Sequence, residues 1–287
     1  MGGEDLSIIE CPRDAMQGIT EFIPTYSKVR YINQLLKVGY HTIDFGSFVS
    51  PKAIPQMADT AEVLECLDRI NSNTKLLAIV ANVRGALSAA SYEAIDFIGF
   101  PFSISETFQI RNTNSTIVEA FEKVKEINEI CQKFNKELVI YISMGFGNPY
   151  GDVWNAEICF QWVDKIKELG ITIIQLSDTV GIANPESISY IFKNLIPTYS
   201  DVTFGAHLHT QPHNWEEKII AAYNYGCRRF DTAIRGYGGC PMAKDSLTGN
   251  MPTENLISFT MDRNIPSSLN INEFFNAMAI ANEIFPH

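Results

Sequence analysis

The sequence predicts an α/β fold: a (β/α)8 barrel, or TIM barrel, with an additional C-terminal helical segment. Apolar, β-branched runs alternate with amphipathic stretches along the whole chain, eight times over, and such alternation implies a parallel sheet covered by helices. The length of 287 residues suits a single barrel of this kind. No Gly-x-Gly-x-x-Gly follows the first strand-like run, which weakens the alternative of an open, doubly wound dinucleotide-binding sheet. Residues 1–287 are therefore expected to form one barrel domain, with helices from residues 252–287 packing on it.

Residues 7–10 open the sheet. Strand-like runs follow at residues 42–45, 75–80, 94–100, 137–143, 172–177, 202–209 and 229–233. They are short and mostly apolar, as strands buried on both faces must be. Between them, residues 28–38, 60–70, 83–90, 115–134, 156–169, 185–195 and 215–225 carry apolar residues at helical spacing. Ser115 with Glu119 reads as the start of one helix, and Gly39, Gly170 and Gly226 each follow a helical run where a terminating glycine is favoured. Residues 253–263 and 271–285 come after the eighth strand. The last stretch is surplus to eight units, and is expected to cover a barrel end or an oligomer interface such as that of a homodimer.

A hydrophobic content of 46% with 19% charged residues is that of a globular protein. The net charge of −11, from 22 basic and 33 acidic residues, excludes the broad basic face that a nucleic acid or an anionic membrane needs. An anionic small substrate would have to meet local positive charge or a bound cation. No apolar run approaches the roughly 20 residues that span a bilayer, and nothing near the start reads as a signal or transit peptide. The six cysteines show no Cys-x-x-Cys pair, so a reduced, cytoplasmic protein is expected, without a disulfide framework or a structural zinc site.

In such barrels reactive groups sit at the C-terminal ends of the strands. His207 and His209 fall at the end of the seventh run. A strand's period of two sends both imidazoles to one face, with Phe204, Ala206 and Leu208 on the other. Asp14, expected at the end of the first strand directly after Arg13, offers a carboxylate oxygen, and Asn250 offers an amide oxygen. Two nitrogens and two oxygens with open positions suit an octahedral divalent ion such as Mg(II) or Mn(II), whereas zinc more often takes three protein ligands in a tetrahedral site. Asn250 ends a glycine-rich loop over residues 236–250 that carries Cys240 between Gly239 and Pro241. Such a backbone can fold closely over a small molecule, and a thiol there is poorly placed for core filling.

These residues resemble the hydroxymethylglutaryl-CoA lyase family, within the metal-dependent lyase and synthase barrels. The resemblance covers almost the whole chain: Pro12-Arg13-Asp14 with Gln17, Ser47-Phe48-Val49-Ser50-Pro51-Lys52, Pro55 to Asp59, Asn82, Pro149-Tyr150, Asp178-Thr179-Val180-Gly181, His207-x-His209, Gly238-Gly239-Cys240-Pro241 and Gly249-Asn250. The Ser-Phe-Val-Ser-Pro-Lys run and the Gly-Gly-Cys-Pro loop are specific to the lyase branch. The Arg-Asp pair and the His-x-His are shared with condensing acyltransferases of the isopropylmalate and homocitrate synthase type.

The resemblance implies retro-Claisen cleavage of 3-hydroxy-3-methylglutaryl-CoA, or a related 3-hydroxy acyl-CoA, into acetyl-CoA and a 3-oxo acid such as acetoacetate. It implies Asp14, His207, His209 and Asn250 as metal ligands, and Arg13 as the cation that neutralises charge on the substrate oxygen. Cys240 is implied as the acid that protonates the acetyl-CoA enolate carbon, and Gln17, Asp44, Asn82, Asp178 and Thr179 as substrate-side residues. A Claisen-condensing acyltransferase and a non-catalytic acyl-CoA-binding paralogue are the alternatives. The chain departs from the family pattern at Asp44, where a glutamate is usual, at Thr210, where an aspartate is usual, and at Ala15, Gly18-Ile19 and Asn148. Asp44 and Thr210 are expected to mark an altered acyl pocket or a changed shell around the ligands.

Overall fold

The computed structural model of the protein describes residues 5–239 and 248–285. The chain begins with β1 (Ser7–Glu10), α1 (Pro12–Gln17), α2 (Thr25–Val38), β2 (Thr42–Ser47) and α3 (Thr60–Glu65). It continues through β3 (Lys75–Ile79), α4 (Val83–Ala90), β4 (Phe97–Ser103), α5 (Glu106–Thr113), α6 (Ile117–Lys133) and β5 (Glu137–Ser143). Next come α7 (Ala156–Glu168), β6 (Ile173–Ser177), α8 (Pro185–Thr198), β7 (Thr203–His207) and the short β8 (His209–Thr210). It ends with α9 (Trp215–Asn224), β9 (Arg229–Thr232), the short β10 (Gly249–Asn250), α10 (Thr253–Asp262) and α11 (Ile271–Ile284).

The strands close in the order β1-β2-β3-β4-β5-β6-β7-β9. Every pair in the ring is parallel, and β9 meets β1 from Ser7↔Arg229 to Glu10↔Thr232. This is the (β/α)8 barrel the alternation predicts. The period of two divides its core into two parts. Along β5, Leu138, Ile140 and Ile142 join the apolar layer between sheet and helices, while Val139 and Tyr141 face inward with Leu77, Phe97 and Ile173.

Four local readings change. Asp14 does not end a strand: β1 stops at Glu10, and Pro12 starts α1, whose first turn holds Arg13 and Asp14. Proline at that position lacks only an amide that has no helical partner anyway. The fourth strand runs from Phe97 to Ser103 because residues 92–95 form a turn closed by Ile95 N–H to the Tyr92 carbonyl at 3.2 Å. Pro101 is tolerated inside it. Gly99 accepts from Val80 N–H on the β3 side, and Pro101, two residues on, points the same way past the end of β3.

Thr116, not Ser115, caps α6 in a reciprocal box with Glu119, while the Ser115 hydroxyl lies 2.8 Å from that of Thr113. The seventh run is not one strand either. It leaves the barrel after His207, and His209–Thr210 pairs antiparallel with Gly249–Asn250. At the C-terminus, α11 lies on α2, where the Gln34 amide donates to the Glu273 carboxylate at 2.6 Å and Arg30 pairs with Glu283. Phe285 meets Tyr31 edge-on and stacks on Tyr237 at 4.5 Å between ring centres.

Candidate active site

The C-terminal end of the barrel gathers residues that lie up to 236 positions apart in the chain. Asp14, His207 and His209 each offer a ligand atom, and these atoms lie within 4.8 Å of one another. Both imidazoles face the barrel mouth with ring centres 5.3 Å apart, and Phe204, Ala206 and Leu208 pack in the outer core, as the alternation requires.

Each candidate ligand is held by a second residue. His207 Nδ1 lies 3.0 Å from Asp231 Oδ2, and Asp231 also accepts from the Gln175 amide. Burial pulls the His207 pKa down, but the Asp231 hydrogen bond and charge, with the Asp14 charge, outweigh it and leave a net rise. A carboxylate on Nδ1 fixes the ring's tautomer and aims Nε2 into the mouth. His209 is buried and neutral: burial and the neighbouring His207 push its pKa down to about 4, although a hydrogen bond to the Thr179 backbone works the other way. Its Nε2 has no hydrogen-bond partner among the described residues. A buried, unprotonated ring nitrogen without a partner beside a carboxylate is what a metal ion would satisfy.

Asn250 reaches the same point through the β8–β10 pairing, which sets it opposite His209. Its amide donates to Asp14 Oδ2 at 2.6 Å and to the Tyr237 carbonyl at 2.8 Å, leaving Oδ1 as its remaining polar atom. The loop approaches so closely that a Cβ on Gly238, at φ +92°, would lie 2.7 Å from the Asp14 carbonyl and 2.8 Å from the Asn250 amide. Only glycine fits there. Cys240 lies outside the described residues.

Arg13 sits on the same face of α1 as Gln17, one helical turn apart. Its Nη1 donates to Asp14 Oδ1 at 3.0 Å and to Gln17 Oε1 at 2.9 Å, and Gln17 donates in turn to Asp14. Its Nε and Nη2 form a fork on Asp44, the shortest contact being 2.5 Å. Burial lowers the guanidinium pKa, but the Asp44 and Asp14 charges reverse that and raise it overall. Burial raises the Asp14 pKa, but Arg13 and His207 overcome it and keep the carboxyl below its usual range. For Asp44 burial wins, and its pKa rises to about 6 in spite of Arg13. Asp14 is thus an ionised oxygen donor, while Asp44 is the group that grips Arg13.

Three expected substrate-side residues have other partners. Asn82 is exposed and caps α4, accepting from Gly85 N–H at 2.9 Å. Asp178 is buried, with Oδ1 accepting from Ala183 N–H and Oδ2 paired with Lys218 at 2.8 Å. The Thr179 hydroxyl accepts from Met144 N–H, and this residue meets His209 through its backbone. Thr210 lies under the β10 strand, its hydroxyl 3.5 Å from the Asn250 carbonyl. It therefore bears on the placement of Asn250.

Two residues of the site escape the sequence reading. Asp231 orients His207, and its only signal is the period of two that turns it inward on β9. Lys218, on α9, donates to Asp178, to the His209 carbonyl at 2.8 Å and to the Gly181 carbonyl. Its signal is a lysine beside Ile219, Ala221 and Ala222 on the buried side of its helix.

Comparisons with known proteins show what the chain as a whole is similar to. The sequence model of the HMGL-like family matches residues 7–280. A hydroxymethylglutaryl-CoA lyase of Bacillus subtilis is 31% identical over 269 residues, covering 93% of this chain and 88% of that protein. A solved Bacillus subtilis HMG-CoA lyase superposes with a TM-score of 0.91 at 29% identity, covering 99% of this chain and 95% of the other. The HMG-CoA lyase of Acinetobacter baumannii, solved with coenzyme A and 3-methylmalate, gives 0.89 at 31% identity over 98% of this chain and 91% of that one. With its barrel and nearly its full length matched, the chain belongs to the HMGL-like family.

Proposed function

We propose that the protein is a carbon–carbon lyase that cleaves 3-hydroxy-3-methylglutaryl-CoA, or a closely related 3-hydroxy acyl-CoA, to acetyl-CoA and a 3-oxo acid such as acetoacetate. The observation that carries this reading is the convergence of Asp14, His207 and His209 at the barrel mouth with Arg13 and Asn250 hydrogen-bonded to Asp14. The relatives and solved neighbours named above are lyases of this substrate, and one was solved with coenzyme A bound.

Asp14, His207, His209 and Asn250 would hold a divalent ion, with Mg(II) or Mn(II) favoured by the mixed nitrogen and oxygen donors. When bound, such an ion supplies Lewis acidity that lowers the pKa of the substrate's tertiary hydroxyl.

In the cleavage the hydroxyl proton is released to solvent, a carbonyl forms at that carbon and the adjacent carbon–carbon bond breaks. The electron pair moves into the thioester as an enolate. Arg13 supplies fixed positive charge for the enolate oxygen, and the Asp44 fork and Gln17 hold the guanidinium in place before substrate arrives. Asp231 and the Thr179 backbone keep His207 and His209 in their tautomers. Cys240 is the proposed acid for the enolate carbon, since a thiol of ordinary pKa near 8.5 is protonated at neutral pH.

Asp178 and Thr179 also support the β6 and β7 ends, and Asn82 caps α4, beside the substrate-side roles proposed for them. No helix among the described residues is long and apolar enough to cross a membrane, and the reduced-cysteine composition favours a cytoplasmic setting.

The test is incubation with 3-hydroxy-3-methylglutaryl-CoA and Mg(II) or Mn(II), followed by assay for both acetyl-CoA and acetoacetate. Turnover should vanish with excess chelator and in Asp14→Ala, and Cys240→Ser should retain metal binding while losing most of the rate. Full turnover in chelator would overturn the metal assignment, and the absence of acetoacetate would overturn the substrate.

A further inference from the structure

Glu10 has no place in the chemistry above, yet its carboxyl is fully buried at this end of the barrel, 0% exposed. It follows Ile8 by two residues on β1, so it points to the helix side of the sheet, away from the barrel mouth. Its two oxygens have different partners. Oε1 accepts from Ile234 N–H at 2.9 Å, and Oε2 lies 2.6 Å from the Thr253 hydroxyl. Ile234 stands at the start of the glycine-rich segment and Thr253 just beyond its end. The same two stems are joined by the backbone, Ala233 N–H to the Met251 carbonyl at 3.0 Å and Thr253 N–H to the Ala233 carbonyl at 3.2 Å.

We propose that Glu10 is a positioning residue: one side chain that ties both stems of the 233–253 loop to the first barrel strand and so sets Asn250 against Asp14. The assignment rests on the metal-site reading above only in what the loop is for; the clamp itself is geometry. It gives a role to a carboxyl that stands where an apolar residue would otherwise be expected, near Tyr31 and Tyr40. Burial raises the Glu10 pKa to about 8, against the opposing hydrogen bonds from Thr253 and Ile234, with Glu254 adding to the rise. Burial raises the pKa of Tyr31 and Tyr40, and the nearby Glu10 adds to the rise in both. The group is therefore a neutral acid near pH 7. Its short contact with Thr253 works with either oxygen donating, and Ile234 N–H needs only a lone pair.

Glutamine reproduces that neutral clamp, with a carbonyl for Ile234 and an amide N–H for the Thr253 oxygen, while alanine removes both ties. Amide hydrogen exchange read by peptide on the whole protein tests this, together with titration of Mn(II) alone. In Glu10→Ala, exchange in the stems, residues 233–239 and 248–253, should rise tenfold or more while β3 to β6 stay within twofold, and Mn(II) affinity should fall about tenfold as Asn250 loses its position. Glu10→Gln should restore the protection of both stems to within threefold of the natural protein. Thr253→Val, a milder change, should raise exchange at the C-terminal stem first.

Unchanged stem exchange in Glu10→Ala would overturn the proposal, and so would an increase spread evenly over the barrel. If Glu10→Ala does not fold, unchanged exchange in Thr253→Val does the same. Neither readout uses a substrate, so the clamp stands or falls separately from the cleavage of 3-hydroxy-3-methylglutaryl-CoA.

Discussion

Lys218 is 1% exposed, and its ammonium spends its three hydrogens on Asp178 and on the carbonyls of Gly181 and His209. Removing one partner of such a pair leaves the other as a buried, uncompensated charge, which costs about 3–5 kcal/mol. Lys218→Met should lower unfolding stability in urea by that amount, and Asp178→Leu added to it should recover part of the loss. A loss under 1 kcal/mol in the single variant would show that water reaches Asp178.

Glu10 makes the opposite kind of statement, since it is buried against Thr253, Ile234 and Tyr40 with no cation beside it among the described residues, and its pKa rises from 4.5 to about 8. The folded state then holds a proton that the unfolded state has released, so stability is highest below the unfolded value. It declines as pH rises from about 4.5 to about 8, by roughly 3–6 kcal/mol at 1.36 kcal/mol per unit. Glu10→Gln should flatten that slope, and an unchanged slope would place the titration elsewhere. At this scale His207 and His209 are legible from the strand period of two, whereas Asp14 and Asn250 are singled out by residue type and by the resemblance, Asp14 standing on α1 and not at a strand end. Asp231 and Lys218 are not legible, because their roles exist only once β9 and α9 are packed against the ligands they steady.

The eight barrel strands and nine of the helices are legible in kind, less so in their ends, while the short α1 and α5 are not read. A strand buried on both faces shows no alternation at its boundary, so β4 slid by three residues into Pro101, where the end of β3 removes the need for an amide. Helix starts depend on a single cap. Thr116 and Ser115 both offer a hydroxyl near Glu119, but only Thr116 accepts from the third amide of α6, at 3.2 Å, while Glu119 returns to the Thr116 N–H at 2.8 Å. Thr116→Ala should therefore cost about 1 kcal/mol in thermal or urea unfolding, and Ser115→Ala much less. An equal loss from both would return the cap to Ser115. The β8–β10 pairing could not be read at all, since two-residue strands carry no periodicity. It nonetheless brings Asn250 beside His209.

At the scale of the whole barrel, the four candidate ligands come from α1 after β1, from the end of β7, from β8 and from β10. A bound ion would thus join the first strand unit to the last two, across the seam where β9 closes on β1. An ion that binds the folded chain and not the unfolded one stabilises by mass action, about 2.7 kcal/mol when free ion is roughly 100 times Kd. For a chain of 287 residues, an unfolding entropy of about 2.1 cal/mol/K per residue turns that into a Tm rise of roughly 4–5 °C. Mn(II) or Mg(II) should produce this shift in the natural protein, chelator should reverse it, and His209→Ala should abolish it. Lys193→Ala, on α8 away from the ligands, should leave the shift intact. A shift of the same size in His209→Ala would mean that the ion binds elsewhere, and the unpartnered Nε2 of that buried ring would need another ligand to account for it.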